Sequence, residues 1–168
     1  MRKPFINVDE VQLAPHPMPK PGGEFEARFA QIAMPLGATK LGCNLTVVAP
    51  GKKSWPHHVH HANDEMFVVL AGEGTLRFGA ERWPVRAGDV IVCPAGNAER
   101  AHQIINTSDA ELRYLSISTK VMPEIVEYPD SRKVGAVSMM SGPGEAGARP
   151  FRLMGRLSDS LDYYDGES

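Results

Sequence analysis

The sequence lacks several features that mark common protein classes. It has no apolar run long enough to span a membrane, it has two cysteines in 168 residues, and its formal net charge is only −2. The nearly balanced charge argues against nucleic acid or an anionic membrane as a partner, because both attract strongly basic surfaces. The first residues are basic but are not followed by an apolar stretch of signal-peptide length, so we expect a cytoplasmic protein.

The two cysteines, Cys43 and Cys93, each lie in a short apolar segment. Disulfides are rare in cytoplasmic proteins, so the sequence predicts two buried, reduced thiols. Hydrophobic residues make up 42% of the chain, which is enough for one core. A chain of this length is expected to form a single domain, here residues 1–168.

Glycine and proline residues divide the middle of the chain into short apolar segments at near-regular spacing. Short strands separated by turn residues are typical of an all-β sandwich or barrel. No amphipathic helical periodicity is visible between residues 25 and 120. The expected strands cover residues 41–49, 66–70, 75–78, 83–86, 90–93 and 111–119.

Both ends of the chain differ from this middle part. We expect a core over about residues 25–120, an arm over 1–24 that is irregular where prolines are dense, and a tail over 121–168. Within the tail, residues 141–150 are expected to form a loop and residues 151–154 a short strand. The arm and the aromatic pair Tyr163 and Tyr164 are suited to wrap a second copy, so we expect a homodimer.

The most informative feature is a cluster of four of the six histidines, at positions 57, 58, 60 and 61. In an extended segment side chains alternate, so His58 and His60 share one face and His57 and His61 the other. Glu65 begins the next apolar segment, and a turn can bring it back beside the first pair. Two imidazoles and a carboxylate suit Fe, Mn, Ni, Zn or Cu better than Mg or Ca.

We therefore predict one divalent transition metal at His58, His60 and Glu65. The alternative to a metal site is a solvated histidine-rich loop without a bound ion. His57 and His61 are expected beside the site or at the surface. A fourth ligand must come from elsewhere, and His102, which begins an apolar run, is a better candidate than His16 in the proline-rich arm.

Two motifs in this order resemble the signatures of the cupin superfamily. The first comprises Gly51, His58, His60, Glu65 and Gly72, with six residues before His58 where the family usually has five. The second runs from Gly88 through Pro94 and Gly96 to His102 and Asn106, with three extra residues before His102. The resemblance covers roughly residues 41–120, and it places the insertion at the mouth of a barrel.

The resemblance implies a double-stranded β-helix, a small jelly-roll barrel, with one metal held by His58, His60, Glu65 and His102. The flanks resemble those of small bacterial single-domain cupins, some of which are loosely labelled sugar-phosphate isomerases. This label carries little weight, since a fold does not fix a function.

Such a ligand set leaves one or two positions open on a six-coordinate metal. The first hypothesis is a metalloenzyme, an oxidoreductase or isomerase acting on a small oxygen-rich substrate in a dioxygenase-like or sugar-phosphate-isomerase-like reaction. The alternative is a non-catalytic protein whose metal anchors a carbohydrate or an organic acid. A third reading, a purely stabilising metal, requires protein ligands at every position, with His57 as one candidate.

Three further residues are candidates for contact with a substrate. Phe67 shares the strand face of Glu65, Gln103 adjoins His102, and Arg100 in the insertion suits an anionic group. The alternative interpretation is a structural role, as a core residue or as part of a solvated loop. Glu99 is the one candidate general base, and an exposed loop carboxylate is the competing interpretation.

Overall fold

The chain forms thirteen β-strands and three single-turn 3₁₀ helices in residues 3–15, 23–140 and 149–167, the parts that the computed structural model describes. The strands are β1 (Ala14–Pro15), β2 (Ala27–Gln31), β3 (Leu41–Val48), β4 (Val59–His60), β5 (Glu65–Ala71), β6 (Glu73–Phe78), β7 (Glu81–Arg86), β8 (Val90–Cys93), β9 (His102–Ile105), β10 (Leu112–Thr119), β11 (Glu124–Tyr128), β12 (Lys133–Met140) and β13 (Arg149–Arg156). The 3₁₀ helices are Ala98–Arg100, Pro129–Ser131 and Leu157–Asp159.

The strands form two antiparallel layers. One is a six-stranded sheet in the order β1-β2-β3-β10-β5-β8. The other joins the sheets β13-β12-β11-β4 and β9-β6-β7 through a bridge in which the backbones of His58 and His102 exchange two hydrogen bonds, of 3.1 and 2.8 Å. The two layers enclose one core in the arrangement of a double-stranded β-helix, which confirms the all-β jelly-roll prediction.

Core side chains come from both layers and interdigitate between them. Phe67, Tyr114 and Leu112 enter from the first layer, and Leu76 and Ile104 enter from the second. Burying apolar area of this kind is the main stabilising contribution in a domain of this size, at roughly 1.5–3 kcal/mol for each large side chain. The core lies directly beneath the predicted ligands, so packing fixes the strands that carry them.

The expected strands of the middle segment are all present, and so is the expected strand at 151–154, which lies inside β13. The segment predicted to be a tail extends the second layer, because β11 pairs with β4 and β12 pairs with β11. Residues 149 and 150, expected in a loop, begin β13. The rest of that loop, residues 141–148, and the stretch of the arm that contains His16 lie outside the described residues.

Both cysteines are free thiols, as predicted. Cys93 is 1% exposed, whereas Cys43 is only half-buried. Within the described part of the chain, no helix has the length and hydropathy needed to cross a membrane.

Candidate metal centre

Three of the predicted ligands lie on strands of the two layers, His60 on β4, Glu65 on β5 and His102 on β9, and His58 directly precedes β4. β4 is only two residues long, and it is held on one side by β11, where Val126 pairs with His60, and on the other by the bridge between His58 and His102. Glu65 is the first residue of β5 in the opposite layer, where it pairs with Cys93. The carboxylate therefore reaches the imidazoles from the facing sheet.

Three imidazole nitrogens converge on one carboxylate oxygen. The Nε2 atoms of His58, His60 and His102 lie 3.5, 3.6 and 2.8 Å from Glu65 Oε2. One ligand atom each from His58, His60 and Glu65 lies within 4.8 Å of the others. His102 stands slightly apart from that trio and joins it through its contact with Glu65. The structure thus brings all four predicted residues to one place.

The other ring nitrogens of two histidines face backbone carbonyls. His58 Nδ1 lies 2.8 Å from the oxygen of Pro56, and His102 Nδ1 lies 3.4 Å from that of Arg100. A carbonyl only accepts, so each Nδ1 donates its proton and each Nε2 can keep a lone pair for a metal. Nε2 lone pairs that face the Glu65 carboxylate repel it, and a cation bound between them would relieve this repulsion. The donor set therefore fits a divalent transition metal.

The protonation of these groups agrees with that fit. Burial alone would raise the pKa of Glu65, but hydrogen bonds from His102 and His58 in their Nε2-protonated forms, together with the charges of the histidines, hold this pKa well below its usual range. A metal bound at the site would replace those Nε2 protons. Burial is the main cause that lowers the pKa of His60, ahead of the opposing attraction of Glu65. An ionised carboxylate and a neutral imidazole are the forms that bind metals.

Glu124, which the sequence did not mark as a site residue, supports the centre from β11. Its side chain is buried; Oε1 accepts hydrogen bonds of 3.1 Å from the backbone N–H groups of His61 and Ala62, and Oε2 accepts one from the Asn63 amide. Oε2 also lies 3.5 Å from His60 Nδ1. Glu124 thereby holds the turn that returns the chain from β4 to β5.

Tyr128, at the other end of β11, was also missed. Its ring stacks on that of His58, with centroids 6.2 Å apart and planes inclined by 25°. Burial raises the pKa of its phenol, so the hydroxyl stays protonated at neutral pH. No local signal distinguishes Tyr128 or Glu124 from other residues of a short apolar strand; only the pairing of β11 with β4 brings them to the site.

The remaining two histidines of the cluster point away from Glu65, as strand alternation predicts. His57 is buried, with Nδ1 3.5 Å from Asp130 Oδ1, and burial followed by the charge of Arg77 lowers its pKa. His61 is partly exposed and lies 3.2 Å from Glu127 Oε2 through its Nε2. Neither joins the convergent set.

The three candidate substrate residues and Glu99 lie in the wall or on the rim. Phe67 is core, with its ring 5.6 Å from that of His102. Gln103 is buried and donates to the Trp55 carbonyl at 2.7 Å. Arg100 is exposed and donates to the Ala95 carbonyl at 2.9 Å, and Glu99 is exposed beside it in the inserted turn. Their contact with a substrate stays a prediction.

Comparison with known proteins agrees with this architecture. Residues 44–118 match the model of the Cupin domain family. An oxalate-binding protein from Thermotoga maritima is 28% identical over 109 residues, which cover 64% of this chain and 74% of that protein.

Two solved structures are similar over most of their length. A candidate sugar phosphate isomerase from Acidithiobacillus ferrooxidans is 26% identical with a TM-score of 0.67, covering 82% of this chain and 80% of that one. A cupin-superfamily sugar phosphate isomerase from Silicibacter pomeroyi is 23% identical with a TM-score of 0.74, covering 96% and 98%, and it shows the shared fold. Together with the family match and the strand topology, these similarities identify the chain as a small cupin-domain protein.

Proposed function

We propose that this cupin binds one divalent transition metal through His58, His60, Glu65 and His102 and is a metalloenzyme acting on a small oxygen-rich molecule. The observation that carries the proposal is the convergence of three Nε2 atoms on the Glu65 carboxylate. A metal bound there would hold two oxygens of a substrate and polarise a carbonyl. We expect Fe, Mn, Zn, Ni or Cu.

The chain's own residues would orient and protect this chemistry. The carbonyls of Pro56 and Arg100 fix two imidazole rings, and Glu124 fixes the turn behind the third. The neutral phenol of Tyr128 would donate a hydrogen bond to a substrate oxygen near His58. The similarity to the candidate sugar phosphate isomerase from Acidithiobacillus ferrooxidans favours an isomerase-like reaction over a dioxygenase-like one.

A second candidate function is non-catalytic binding of a carbohydrate or organic acid at the same metal. Two observations favour it. Glu65 faces the imidazoles and Glu124 is held by three N–H donors, so neither carboxylate is poised as a general base. The Thermotoga maritima relative is named for binding oxalate.

The first experiment is elemental analysis of protein purified without added metal, for the wild type, His58→Ala and His61→Ala. We expect one metal per chain in the wild type and in His61→Ala, whose ring belongs to the same cluster but points away. Loss of metal from His58→Ala is the expected result. Equal metal content in all three proteins would contradict the assigned ligands.

The second experiment separates the two functions. Protein loaded in turn with Fe, Mn, Ni, Zn or Cu is incubated with a panel of small sugars, sugar phosphates and dicarboxylic acids. Oxygen uptake or isomerisation that His58→Ala abolishes supports the enzyme. A ligand that raises Tm in a metal-dependent way and is recovered unaltered supports the binding protein. A panel without either effect would overturn both proposals.

A further inference from the structure

We infer that an anion-binding subsite lies beside the metal centre, at Lys133 and Arg156, and that it takes the phosphate group of a small polyhydroxy phosphate monoester. The other end of the same molecule would reach the metal, and this part rests on the proposed function. Strand register, cavity volume and charge support the subsite itself.

Strand register sets the two cations on the face that carries the metal ligands. Lys133 of β12 pairs with Tyr128 of β11 and with Arg156 of β13. Residues paired across antiparallel strands point to the same side of a sheet. Tyr128 in turn stacks on His58, which bridges to His102. One row of side chains therefore runs across five strands, from His102 to Arg156.

The spacing of this row matches the length of a small phosphorylated molecule. Neighbouring strands lie about 4.8 Å apart, so Lys133 is about 10 Å and Arg156 about 14 Å from His58 along the row, measured between backbones. Long lysine and arginine side chains shorten those spans. The Lys133 ammonium already leans over the Tyr128 ring, with Nζ 5.3 Å from the ring centroid. Tyr128 is thus shared by the metal centre and the cationic end.

A cavity of about 550 Å³ lies at this end of the row. Its volume falls in the range typical of small-molecule sites, about 300–1,000 Å³. Tyr128, Lys133 and Arg156 line it, together with Arg132 from the preceding turn and the hydroxyl-bearing Ser158. A ligand in this cavity would contact the Tyr128 ring that stacks on His58.

The cavity lining carries three cations and one carboxylate, so its formal charge is positive. Several surface cations elsewhere, such as Arg28 and Arg77, have a carboxylate within 4.0 Å. Across residues 3–15, 23–140 and 149–167, no carboxylate lies that close to Arg132, Lys133 or Arg156.

The acidic residue of the lining is Glu127, and its carboxylate is 3.2 Å from His61 Nε2. Three cations around one cavity favour a dianionic group over a carboxylate. An arginine fork and a lysine ammonium together match the three outer oxygens of a phosphate monoester.

Isothermal titration calorimetry with inorganic phosphate tests the subsite directly. We expect binding to the wild type, about tenfold weaker binding for Lys133→Gln or Arg156→Gln, and a larger loss for the double variant. Lys133→Arg keeps the charge and is expected to retain binding. Arg152→Gln is the matched control, since Arg152 lies on the same strand and face as Arg156 but outside the cavity.

Two outcomes would overturn the inference: absence of phosphate binding by the wild type at millimolar concentration, or an equal loss from Arg152→Gln, which would indicate a general charge effect. Circular dichroism of each variant checks folding. Ribose 5-phosphate is compared with ribose on metal-loaded protein, and tighter binding of the phosphate that depends on Lys133 is expected.

Phosphate binding retained by His58→Ala, without turnover by the wild type, would support the subsite while the enzymatic function fails. Turnover of unphosphorylated molecules without phosphate binding would reject the subsite and leave the proposed function standing.

Discussion

Glu124 Oε2 lies 3.5 Å from His60 Nδ1 and joins a residue of β11 to a predicted metal ligand of β4. The same carboxylate accepts hydrogen bonds from the backbone of His61 and Ala62. It therefore acts on the orientation of an imidazole and on the turn that leads to Glu65. Residues that hold a ligand in this way tune the affinity of metal sites.

We predict that Glu124→Ala lowers metal affinity by about 10- to 100-fold, because the His60 ring and the 61–63 turn lose their support. The buried N–H donors left without an acceptor should also lower the free energy of unfolding by about 1–3 kcal/mol. Competition with a chromophoric chelator measures the affinity, and urea unfolding of the metal-free protein measures the stability. Glu127→Ala, on the opposite face of the same strand, is the control. Unchanged affinity in Glu124→Ala would contradict the assigned role.

Metal removal is predicted to lower Tm. A metal that binds only the folded chain stabilises it by about 2.7 kcal/mol at a free concentration of one hundred times Kd. Scanning calorimetry with and without a chelator measures the shift in the wild type. In His102→Ala the chelator-dependent shift should shrink strongly, because a ligand is lost. A full shift in that variant would show that His102 does not bind the metal.

The two thiols are predicted to react at very different rates. Burial, aided by the negative charge of Glu65, raises the pKa of Cys93 to about 12, whereas Cys43 is half-buried and its pKa is raised by burial alone. At pH 8 an aromatic disulfide reagent should label Cys43 first and Cys93 only after unfolding, as followed by mass spectrometry. Rapid labelling of Cys93 in the native protein would contradict its placement.

The raised pKa of Cys93 also makes the free energy of unfolding depend on pH. The folded state holds the thiol proton more tightly than the unfolded chain, whose cysteine titrates near pH 9. Stability from this group is therefore fully present below pH 9 and is lost as the pH rises toward 12. Urea unfolding of the wild type at pH 8 and pH 10, compared with Cys93→Ala, measures this contribution; an equal pH dependence in both proteins would exclude it.

Self-association is predicted through the outer face of β11–β13. Ile125, Ala136 and Leu153 are paired in one row across these strands, and Ile125 and Leu153 are exposed. Apolar rows on an extended sheet favour a second copy of the chain, and Tyr163 and Tyr164, also exposed, can add to the contact. Light scattering should give a dimer for the wild type and a monomer for Leu153→Asp. A wild-type monomer at micromolar concentration would reject the prediction.

Much of the barrel follows from local sequence because strand alternation and turn residues act over a few positions. The period of two places His58 and His60 on one face and His57 and His61 on the other, before any tertiary contact is known. The solvent exposure of each side chain is harder to predict from the same sequence pattern. The run from Val90 to Cys93 is apolar throughout, yet Val90 and Val92 are 60% and 58% exposed because only one face of β8 meets the core.

The two ligand motifs and the strands around them can be predicted from local sequence alone. The position of β11 beside β4 is a property of the complete fold. It brings Glu124 and Tyr128 to the histidines and sets Lys133 and Arg156 in the same row. Strand neighbours are chosen by long-range packing and backbone hydrogen bonds, and no short pattern in residues 124–128 encodes that choice. The ligand set follows from local sequence, whereas the strand order brings the supporting residues and the cationic pair Lys133 and Arg156 to it.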